Sequence, residues 1–309
     1  MTTFPQAQFP DEQSADGSFV RQHDAFRAWV GVEGNSGLPA VAGRYRLYVS
    51  LACPWAHRTI VVRALKSLEE AVEMTVVDPV RDERGWHLGD WFLSEAYYAS
   101  DPDYRGRVTV PVLWDTHTKR IVSNSDDDIM RMFETQFDAI GNSDLDLYPK
   151  ALRAEIDALN AIIYDGVNNG VYEAGFATEQ AVYEKAAYRV FSTLDMLDER
   201  LASNRYLFGP RPLESDWRLF VTLIRFDAVY FGHFKCNLRR IVDYPNLSGY
   251  LRDLYQVPGV APTVNFDHIK RHYYYTHDDL NPTRIVPIGP LLDLDAPHGR
   301  AHFGTGLQT

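Results

Sequence analysis

The feature that most constrains this chain is a cysteine followed by a proline, where an apolar strand pattern gives way to a helical one. Residues 45–51 read as a strand, and an apolar helical pattern runs from Pro54 to Leu68. Proline suits the first position of a helix because its missing N–H would have no partner there. Cys53 is therefore predicted at a helix N-terminus, where unpaired N–H groups and the helix dipole favour an anion and lower the pKa of a thiol.

Cys53 taken alone would be interpreted as a small buried hydrophobic residue, but the strand–Cys–Pro–helix context favours a working thiol. A dithiol mechanism would need a second cysteine three residues on, where Ala56 stands. The expected intermediate is therefore a mixed disulfide with an outside thiol. The other cysteine, Cys236, has no partner ligands at metal spacing, so a core or surface role is favoured over a resolving thiol or a metal ligand. The sequence predicts no metal site.

Length and charge exclude several classes of protein. A chain of 309 residues is long enough for two domains with ample core. A net charge of -11 argues against binding to nucleic acid or to an anionic membrane surface. No apolar run reaches transmembrane length, and the first residues lack a signal-peptide pattern. Two cysteines are too few for a disulfide-built secreted protein, so a reducing cytoplasm is the predicted compartment.

The order of patterns along the chain predicts an α/β domain followed by an all-α domain. The first reads β-α-β, an irregular insert at 78–107, and β-β-α, with Pro111 interrupting a strand over 108–115. After a linker at 141–148, strand signals disappear and helical repeats dominate. The predicted boundaries are 1–40 for an N-terminal extension with a helical patch at 26–30, 41–140 for the α/β domain, 150–280 for the helical domain, and 281–309 for a tail that wraps or frays.

This plan, with a cysteine at the first helix and a proline in a strand, resembles the glutathione-transferase fold, which is a thioredoxin-like thiol-binding domain followed by a helical substrate domain. An ordered set of motifs makes the resemblance specific to the Xi class, the glutathionyl-hydroquinone reductases, from about residue 19 to about residue 290. The motifs are FVR at 19–21, SLACPWAHR at 50–58, RVTVPVLWD at 107–115, NNGVYEAGFA at 168–177, RFDAVYFGHFKCN at 225–237 and VNFDHIKRHY at 264–273.

The resemblance implies a chemistry that these residues can support. The family substrate is a hydroquinone that carries glutathione through a thioether. The catalytic thiolate, here Cys53, attacks the glutathione sulfur, and a second glutathione resolves the mixed disulfide. Family members use tyrosines around the ring pocket, and the matching positions are Tyr172, Tyr230 and Tyr273, for which ordinary packing is the alternative. A phenol can donate a proton while its ring lines an aromatic pocket. The family also implies a homodimer.

The same resemblance implies residues that hold the thiol cofactor, glutathione. Val110 is expected to offer its backbone N–H and C=O to the cysteinyl part of the cofactor, and Pro111 is expected to be cis. Trp86 matches a family tryptophan that covers the cofactor. Arg107 and Arg58 are candidate partners for a carboxylate, with a solvated surface role as the alternative.

The chain departs from the family pattern at one helix N-terminus. Ser125 stands where the family has the Glu that binds the glutathione ammonium, and Asp126 stands where it has the Ser that binds the γ-glutamyl carboxylate. Two like charges ~4 Å apart repel by about 4 kcal/mol at an effective dielectric constant of 20. Asp126 could instead bind the ammonium, or the thiol could be a hydroxyl-rich one such as mycothiol. A charged helix cap without a binding role is the third interpretation.

A smaller departure concerns a helix start at 213–216, where the family has Ser or Thr at the first position and this chain has Leu213. Losing such a cap costs ~1 kcal/mol unless another group replaces it. Two rival functions remain open at this point. One is the same fold acting on dehydroascorbate or a protein mixed disulfide, and the other is a non-catalytic binding protein with a transferase-like fold.

Overall fold

The computed structural model describes residues 12–31 and 37–307, which form two compact units. The first comprises Arg21–Leu145 and Thr263–Ile285, and the second comprises residues 12–20, Asp146–Pro262 and 286–307. The predicted linker contains the boundary after Leu145. Residues 1–11 and 32–36 of the predicted extension, and the last two residues of the predicted tail, lie outside the described part of the chain.

The first unit is built on a four-stranded mixed sheet of order β2-β1-β5-β6. Strand β1 pairs in parallel with β2 and antiparallel with β5, and β5 pairs antiparallel with β6. Parallel neighbours need a crossover, which α1 supplies. The elements are β1 (Tyr45–Val49), α1 (Pro54–Leu65), β2 (Val72–Val76), β3 (His87–Leu88), β4 (Trp91–Phe92), α2 (Leu93–Ser100), β5 (Val112–Asp115), β6 (Arg120–Ser123) and α3 (Asp126–Thr135).

The predicted strand over 108–115 is shorter than expected, because β5 begins only at Val112, directly after Pro111. Proline cannot donate to a strand ladder, so the strand starts where regular pairing becomes available. Arg120–Ser123 then pairs with β5 as the predicted hairpin.

The insert at 78–107 is not irregular, and that prediction was wrong. It contains the two-stranded ribbon β3–β4 and the eight-residue helix α2. The Glu95 side chain accepts a hydrogen bond of 3.0 Å from the Phe92 N–H and so fixes the start of α2. Such short elements leave too few residues for a periodic pattern to be recognised in the sequence.

The helical patch predicted at 26–30 is also wrong, since this segment is extended along β6. Arg27 forms a bridge with Ser123, and the Ala28 N–H donates to the Val122 carbonyl at 2.9 Å. β6 is an edge strand of the sheet, and its unpaired backbone groups are satisfied by this segment. Tertiary pairing therefore overrides the local helical pattern.

The second unit is helical, and no strand follows β6 anywhere in the described residues. Its central helix, α7, is buried along all its residues. The helices are α4 (Arg153–Ile163), α5 (Gly170–Gly175), α6 (Gln180–Leu201), α7 (Glu214–Arg225) and α8 (Leu247–Tyr255). Among the described helices, none has both the length and the hydropathy needed to cross a bilayer.

Three helices end in π-helical segments. α4 continues into Tyr164–Asn168, α7 continues into Phe226–Tyr230, and the first unit's α9 (Phe266–Arg271) continues into His272–Thr276. A π-helical turn adds a residue to the turn and shifts the side chains that follow, and such turns occur often at functional sites. Two of the three tyrosines implied by the resemblance, Tyr230 and Tyr273, lie in these segments.

The predicted tail packs on the second unit over its described residues from 286. The Gln256 side-chain amide donates to the carbonyls of Leu294 and Ala296, at 2.8 Å each. The Arg300 guanidinium donates to the carbonyls of Leu201, Asn204 and Arg205.

Candidate active site

Cys53 occupies the N-cap of α1. Its backbone is extended, with φ -74° and ψ 122°, and Pro54 follows in the first turn. The His57 N–H donates to the Cys53 carbonyl at 3.0 Å, which closes that turn. The side chain is 8% exposed, and Sγ lies 3.5 Å from the carbonyl oxygen of Val110. The helix start predicted from the Cys-Pro step is therefore confirmed, with the sulfur at its first turn.

The segment before β5 supplies the carbonyl group that contacts the Cys53 sulfur. Val110 is buried, and the Val110–Pro111 peptide bond is cis, as expected. The Val110 carbonyl that was expected to bind the cofactor backbone accepts the Sγ–H of Cys53 in this structure. The structure thus brings together the thiol and the backbone segment that sequence reasoning assigned to the same cofactor.

His272, which the sequence analysis did not single out, contacts both Trp86 and Tyr273. The His272 ring stacks on Trp86 with centroids 4.9 Å apart and contacts Tyr273 edge to face at 5.3 Å. Its Nδ1–H donates to the Pro79 carbonyl at 2.8 Å. All three aromatic side chains are buried. His272 lies within one of the motifs, yet a single histidine on a helix carries no signal that separates it from an ordinary core residue.

Trp55, which follows Pro54, contacts the guanidinium groups of Arg21 and Arg58. The guanidinium carbons of Arg21 and Arg58 are 4.7 Å and 4.8 Å from the Trp55 ring centroid. Such cation–π contacts orient the indole and reduce the cost of burying the charges. The solvated surface role considered for Arg58 is wrong, because its side chain is only 1% exposed.

The N-terminus of α3 carries the departure from the family pattern. Ser125 is the N-cap, and its side chain accepts from the Asp128 N–H at 3.4 Å. Asp126 forms an ion pair with Arg58 at 2.7 Å, and Asp127 contacts the same guanidinium nitrogen at 3.2 Å. The negative charge expected to repel a bound carboxylate is therefore offset by a buried cation, so the repulsion is weaker than the sequence alone implies.

Arg107 is half-buried in the same unit, close to a carboxyl group from the N-terminal segment. Burial raises the pKa of Asp24, and the positive charge of Arg107 opposes that shift. The Arg107 carbonyl accepts the Tyr104 hydroxyl at 2.6 Å, which fixes the loop before Pro111. Arg107 thus faces a carboxylate from its own chain.

The second unit holds the other two tyrosines in one aromatic cluster. The Tyr172 and Tyr230 rings are 6.0 Å apart, and the Phe234 ring lies 5.3 Å from Tyr172 and stacks at 5.4 Å on Tyr230. A Cβ at Gly175 would lie 2.3 Å from the Phe234 ring, so only glycine permits this approach. Phe19, from the start of the described chain, stacks on Tyr172 at 6.4 Å.

The candidate residues thus fall into two groups, each described within its own unit. Those of the first unit are Cys53, Trp86, Arg107, Val110, Pro111, Ser125, Asp126 and Tyr273, and those of the second are Tyr172 and Tyr230.

Cys236 is fully buried, and burial raises the pKa of its thiol to about 12. Within the described ranges, no three His, Cys, Asp or Glu side chains are grouped so as to hold a metal ion.

Comparison with known proteins gives a consistent family assignment. The family described as "Glutathione S-transferase, N-terminal domain" matches residues 52–136, and its C-terminal counterpart matches residues 180–253. The chain is 51% identical to glutathionyl-hydroquinone reductase YqjG of Escherichia coli (95% of this chain, 96% of the relative) and 47% identical to glutathionyl-hydroquinone reductase PcpF of Sphingobium chlorophenolicum (91% and 92%).

Solved structures agree with this assignment. The glutathione-bound structure of YqjG has a TM-score of 0.87 at 50% identity and covers 92% of this chain and 97% of that chain. The Xi-class transferase of Natrialba magadii has a TM-score of 0.88 at 47% identity, with coverage of 94% and 97%. The predicted fold class, a thioredoxin-like domain with a helical domain, is confirmed.

Proposed function

Because this chain belongs to the Xi class of glutathione transferases, we propose that it reduces glutathionyl-hydroquinones, or related thiol–aromatic adducts, through a mixed disulfide on Cys53. The relatives named above are glutathionyl-hydroquinone reductases, which supports the substrate class. The reaction consumes one thiol and releases a hydroquinone and a disulfide.

The proposed cycle has two displacements at sulfur. The Cys53 thiolate attacks the sulfur of the adduct, an S–S bond forms, and the C–S bond to the ring breaks. The electron pair of that bond goes to the ring carbon, which takes up a proton and leaves as the hydroquinone. A second thiol, as its thiolate, then attacks the mixed disulfide, which releases the low-molecular-weight disulfide and restores Cys53. The ring carbon is thus reduced by two electrons, and the sulfur of the adduct and the sulfur of the one added thiol are oxidised to a disulfide.

Proton donation to the ring carbon is assigned to phenols. Tyr172, Tyr230 and Tyr273 are the candidates, since a phenol donates a proton and its ring packs against a flat substrate. The close ring contacts of Tyr172 and Tyr230 support an aromatic lining in the second unit. Burial of all three side chains limits access of bulk water as a competing acid.

One observation carries the proposal: the Cys53 sulfur lies at the N-cap of α1, 3.5 Å from the Val110 carbonyl that precedes the cis proline. Exposure of the protein to glutathione disulfide, followed by intact-mass spectrometry, tests it. The expected result is a single glutathione adduct that maps to Cys53 and is removed by added glutathione. A steady-state assay with a glutathionyl-hydroquinone should then lose at least about a hundredfold in activity in Cys53→Ser.

The chain offers a matched control in its other cysteine. Cys236→Ser should form the adduct and turn over as the unaltered protein does, because the Cys236 thiol is fully buried. An adduct that maps to Cys236, or full turnover in Cys53→Ser, would rule out the proposed mechanism.

The second candidate concerns the thiol. Asp126 and Ser125 replace the family's Glu-Ser pair, and the Arg58–Asp126 ion pair supports a site that already balances its own charge. Such a site accepts hydrogen bonds from hydroxyl groups without needing a charged ligand. In parallel exposures to glutathione disulfide and to mycothiol disulfide, glutathione is the co-substrate if it alone forms the adduct. Preferential modification by mycothiol disulfide assigns the same chemistry to that thiol.

The cellular setting and the assembly complete the proposal. The proposed cycle needs Cys53 and the low-molecular-weight thiol in their reduced forms, which fits a reducing cytoplasm. A homodimer, which the family resemblance implies, is part of the proposal, and sedimentation equilibrium measures it directly. The rival substrates, dehydroascorbate and protein mixed disulfides, are separated by comparing kcat/KM for each with that for a glutathionyl-hydroquinone.

A further inference from the structure

A cavity in the second unit contains none of the residues assigned above. It has a volume of about 260 Å³ and lies between the residue after α6, the first turns of α8 and the tail. Its lining includes Arg252 from α8 and His298, Arg300 and His302 from the tail. Four basic side chains around one cavity are unexpected in a chain of net charge -11.

Among the described residues, no carboxylate is hydrogen-bonded to either arginine. Arg300 is 4% exposed and donates to the carbonyls of Leu201, Asn204 and Arg205. Burial lowers the pKa of Arg300, so its positive charge is incompletely solvated. Arg252 donates to the Ser248 hydroxyl at 2.9 Å, and its Nε is buried with no hydrogen-bond acceptor.

Two carboxylates that contact lining residues, Asp198 and Asp253, are hydrogen-bonded to other groups. Asp253 accepts two hydrogen bonds from Arg205, at 2.8 Å and 2.9 Å, and one from Tyr206 at 3.0 Å. It also lies 3.6 Å from His298. Asp253 is therefore shared with Arg205 and does not compensate Arg252 and Arg300 alone.

We propose that this cavity binds a phosphate-type oxyanion, either as the free ion or as the head of a small phosphate ester. Arginine presents its N–H groups in a planar fork that matches phosphate oxygens, and such charge-assisted hydrogen bonds are strong. His302, whose Nδ1 lies 3.0 Å from the Gly299 carbonyl, adds a ring at the edge of the same cavity. The volume exceeds that of one phosphate, so an ester with a small organic group also fits.

The site is built from chain segments far apart in sequence. Arg252 and Arg300 are brought together because Arg300 is anchored to three carbonyls at the end of α6, and Gly249 of α8 lets the tail approach. A Cβ at Gly249 would lie 2.5 Å from the His298 carbonyl. A bound oxyanion would therefore add contacts between the tail and α8 to those already present.

Isothermal titration calorimetry on the full-length protein tests the proposal, with inorganic phosphate and glycerol 3-phosphate as probes and sodium chloride at matched ionic strength as the reference. We expect saturable binding of at least one probe and none of chloride. Arg252→Gln should weaken that binding by about tenfold, which corresponds to 1.4 kcal/mol. Tighter binding of the ester identifies a phosphate ester as the ligand, and equal binding identifies the free ion.

Two controls keep the result interpretable. Arg211→Gln, which removes an exposed arginine outside the cavity lining, should bind as the unaltered protein does. Arg252→Gln should retain glutathione-disulfide labelling of Cys53 at the unaltered rate, which shows that the variant is folded. The proposal is overturned if neither probe saturates, if chloride reproduces the heat, or if Arg252→Gln binds both probes unchanged.

Discussion

At the scale of the single residue, the reactivity of Cys53 depends on its place at the first turn of α1. At a helix N-terminus, backbone N–H groups and the helix dipole favour a thiolate over a thiol. We therefore predict a pKa for Cys53 below the ordinary ~8.5 of a cysteine. The rate of alkylation by iodoacetamide against pH measures it, with Cys236→Ser as the background so that one thiol is followed.

An ordinary pKa for Cys53 would contradict the enzyme interpretation and favour a non-catalytic binding protein. The control thiol is informative in itself. In Cys53→Ser, the remaining Cys236 should resist alkylation until the protein unfolds, because burial raises its pKa to about 12 and covers the sulfur.

His272 is predicted to position Trp86 rather than to take part in the chemistry. It stacks on Trp86 and donates to the Pro79 carbonyl, so two substitutions separate these roles. His272→Phe keeps the stacking but leaves the carbonyl without its donor, and His272→Asn keeps a donor but loses the stacking. If Trp86 covers the thiol cofactor, His272→Asn should raise KM for the thiol several-fold with a smaller change in kcat.

Unchanged KM values would contradict a positioning role for His272. A stability loss alone, with KM unchanged in both variants, would assign His272 to the core. Removing the donor to a buried carbonyl costs about 1–3 kcal/mol, so His272→Phe should be the less stable variant by urea denaturation.

Residues whose conformation is set by their own neighbours were predictable from the sequence. Pro54 at a helix start and the cis bond at Pro111 follow from the chemistry of proline and from the family motif. The Arg58–Asp126 ion pair and the His272–Trp86 stack were not predictable, because each joins segments far apart in sequence. A local sequence pattern does not indicate which distant residue a charged or aromatic side chain will contact.

At the scale of the element, α7 shows how a missing cap is compensated. Leu213 stands at the N-cap, where a hydroxyl is usual, and it is buried in a cluster with Tyr148 and Ile156. Asp216 accepts from the Leu213 N–H at 2.8 Å and from the Leu207 N–H at 2.9 Å. The helix start is therefore held by a carboxylate in its first turn.

Restoring the hydroxyl should therefore destabilise the protein. Leu213→Ser gains a cap worth about 1 kcal/mol but loses a buried side chain worth about 1.5–3 kcal/mol. We expect a net loss of roughly 0.5–2 kcal/mol in the free energy of unfolding, measured by urea denaturation. Phe208→Ser, at a partly buried position of the same cluster, serves as the comparison for lost packing alone. A Leu213→Ser protein more stable than the parent would refute this reasoning.

The β5–β6 hairpin is predicted to lose stability in acid through Asp115. Burial opposes ionisation of this carboxyl, but hydrogen bonds from Arg44, the His117 N–H and Thr118 outweigh it and lower its pKa to about 2. A lowered pKa in the folded state stabilises the protein above the unfolded pKa of about 3.9. That contribution, about 2 kcal/mol, is lost as pH falls from about 4 through 2.

Asp115→Asn tests this by urea denaturation at a series of pH values. The variant should be less stable at pH 6 and should show a flatter loss of stability below pH 4. Asp243→Asn is the matched control, since its pair with Arg240 lies at the surface and contributes little. Equal acid profiles for the parent and Asp115→Asn would contradict the assignment.

The elements that sequence reasoning missed share a physical cause. The ribbon β3–β4 and the helix α2 are too short to show a period, and the segment at 26–30 becomes extended only because β6 offers it backbone partners. The long helix α6 (Gln180–Leu201) lies where the sequence predicts helical repeats. The π-helical ends that carry Tyr230 and Tyr273 depart from the regular period on which such predictions rest.

At the scale of the whole molecule, the tail is predicted to be part of the folded core of the second unit. Leu294 is 8% exposed, and Arg300 is 4% exposed and anchored to three carbonyls near the end of α6. A chain that ends at residue 292 would lose these contacts and the two hydrogen bonds from Gln256. Burying one leucine contributes about 2 kcal/mol and each hydrogen bond about 1 kcal/mol, so we expect a loss of several kcal/mol in the free energy of unfolding.

Urea denaturation in phosphate-free buffer separates the structural contribution of the tail from any effect of an anion bound beside Arg252 and Arg300. The control is Arg284→Ala, which removes an exposed ion pair with Asp278 in the part of the tail that the shortened chain keeps, and it should change stability by less than about 1 kcal/mol. If the shortened chain is as stable as the parent, the packed conformation of the tail contributes nothing to folding. If it is less stable by several kcal/mol while labelling of Cys53 persists, the tail stabilises the helical unit without shaping the thiol site. The chemistry would then depend on the first unit's own packing around α1.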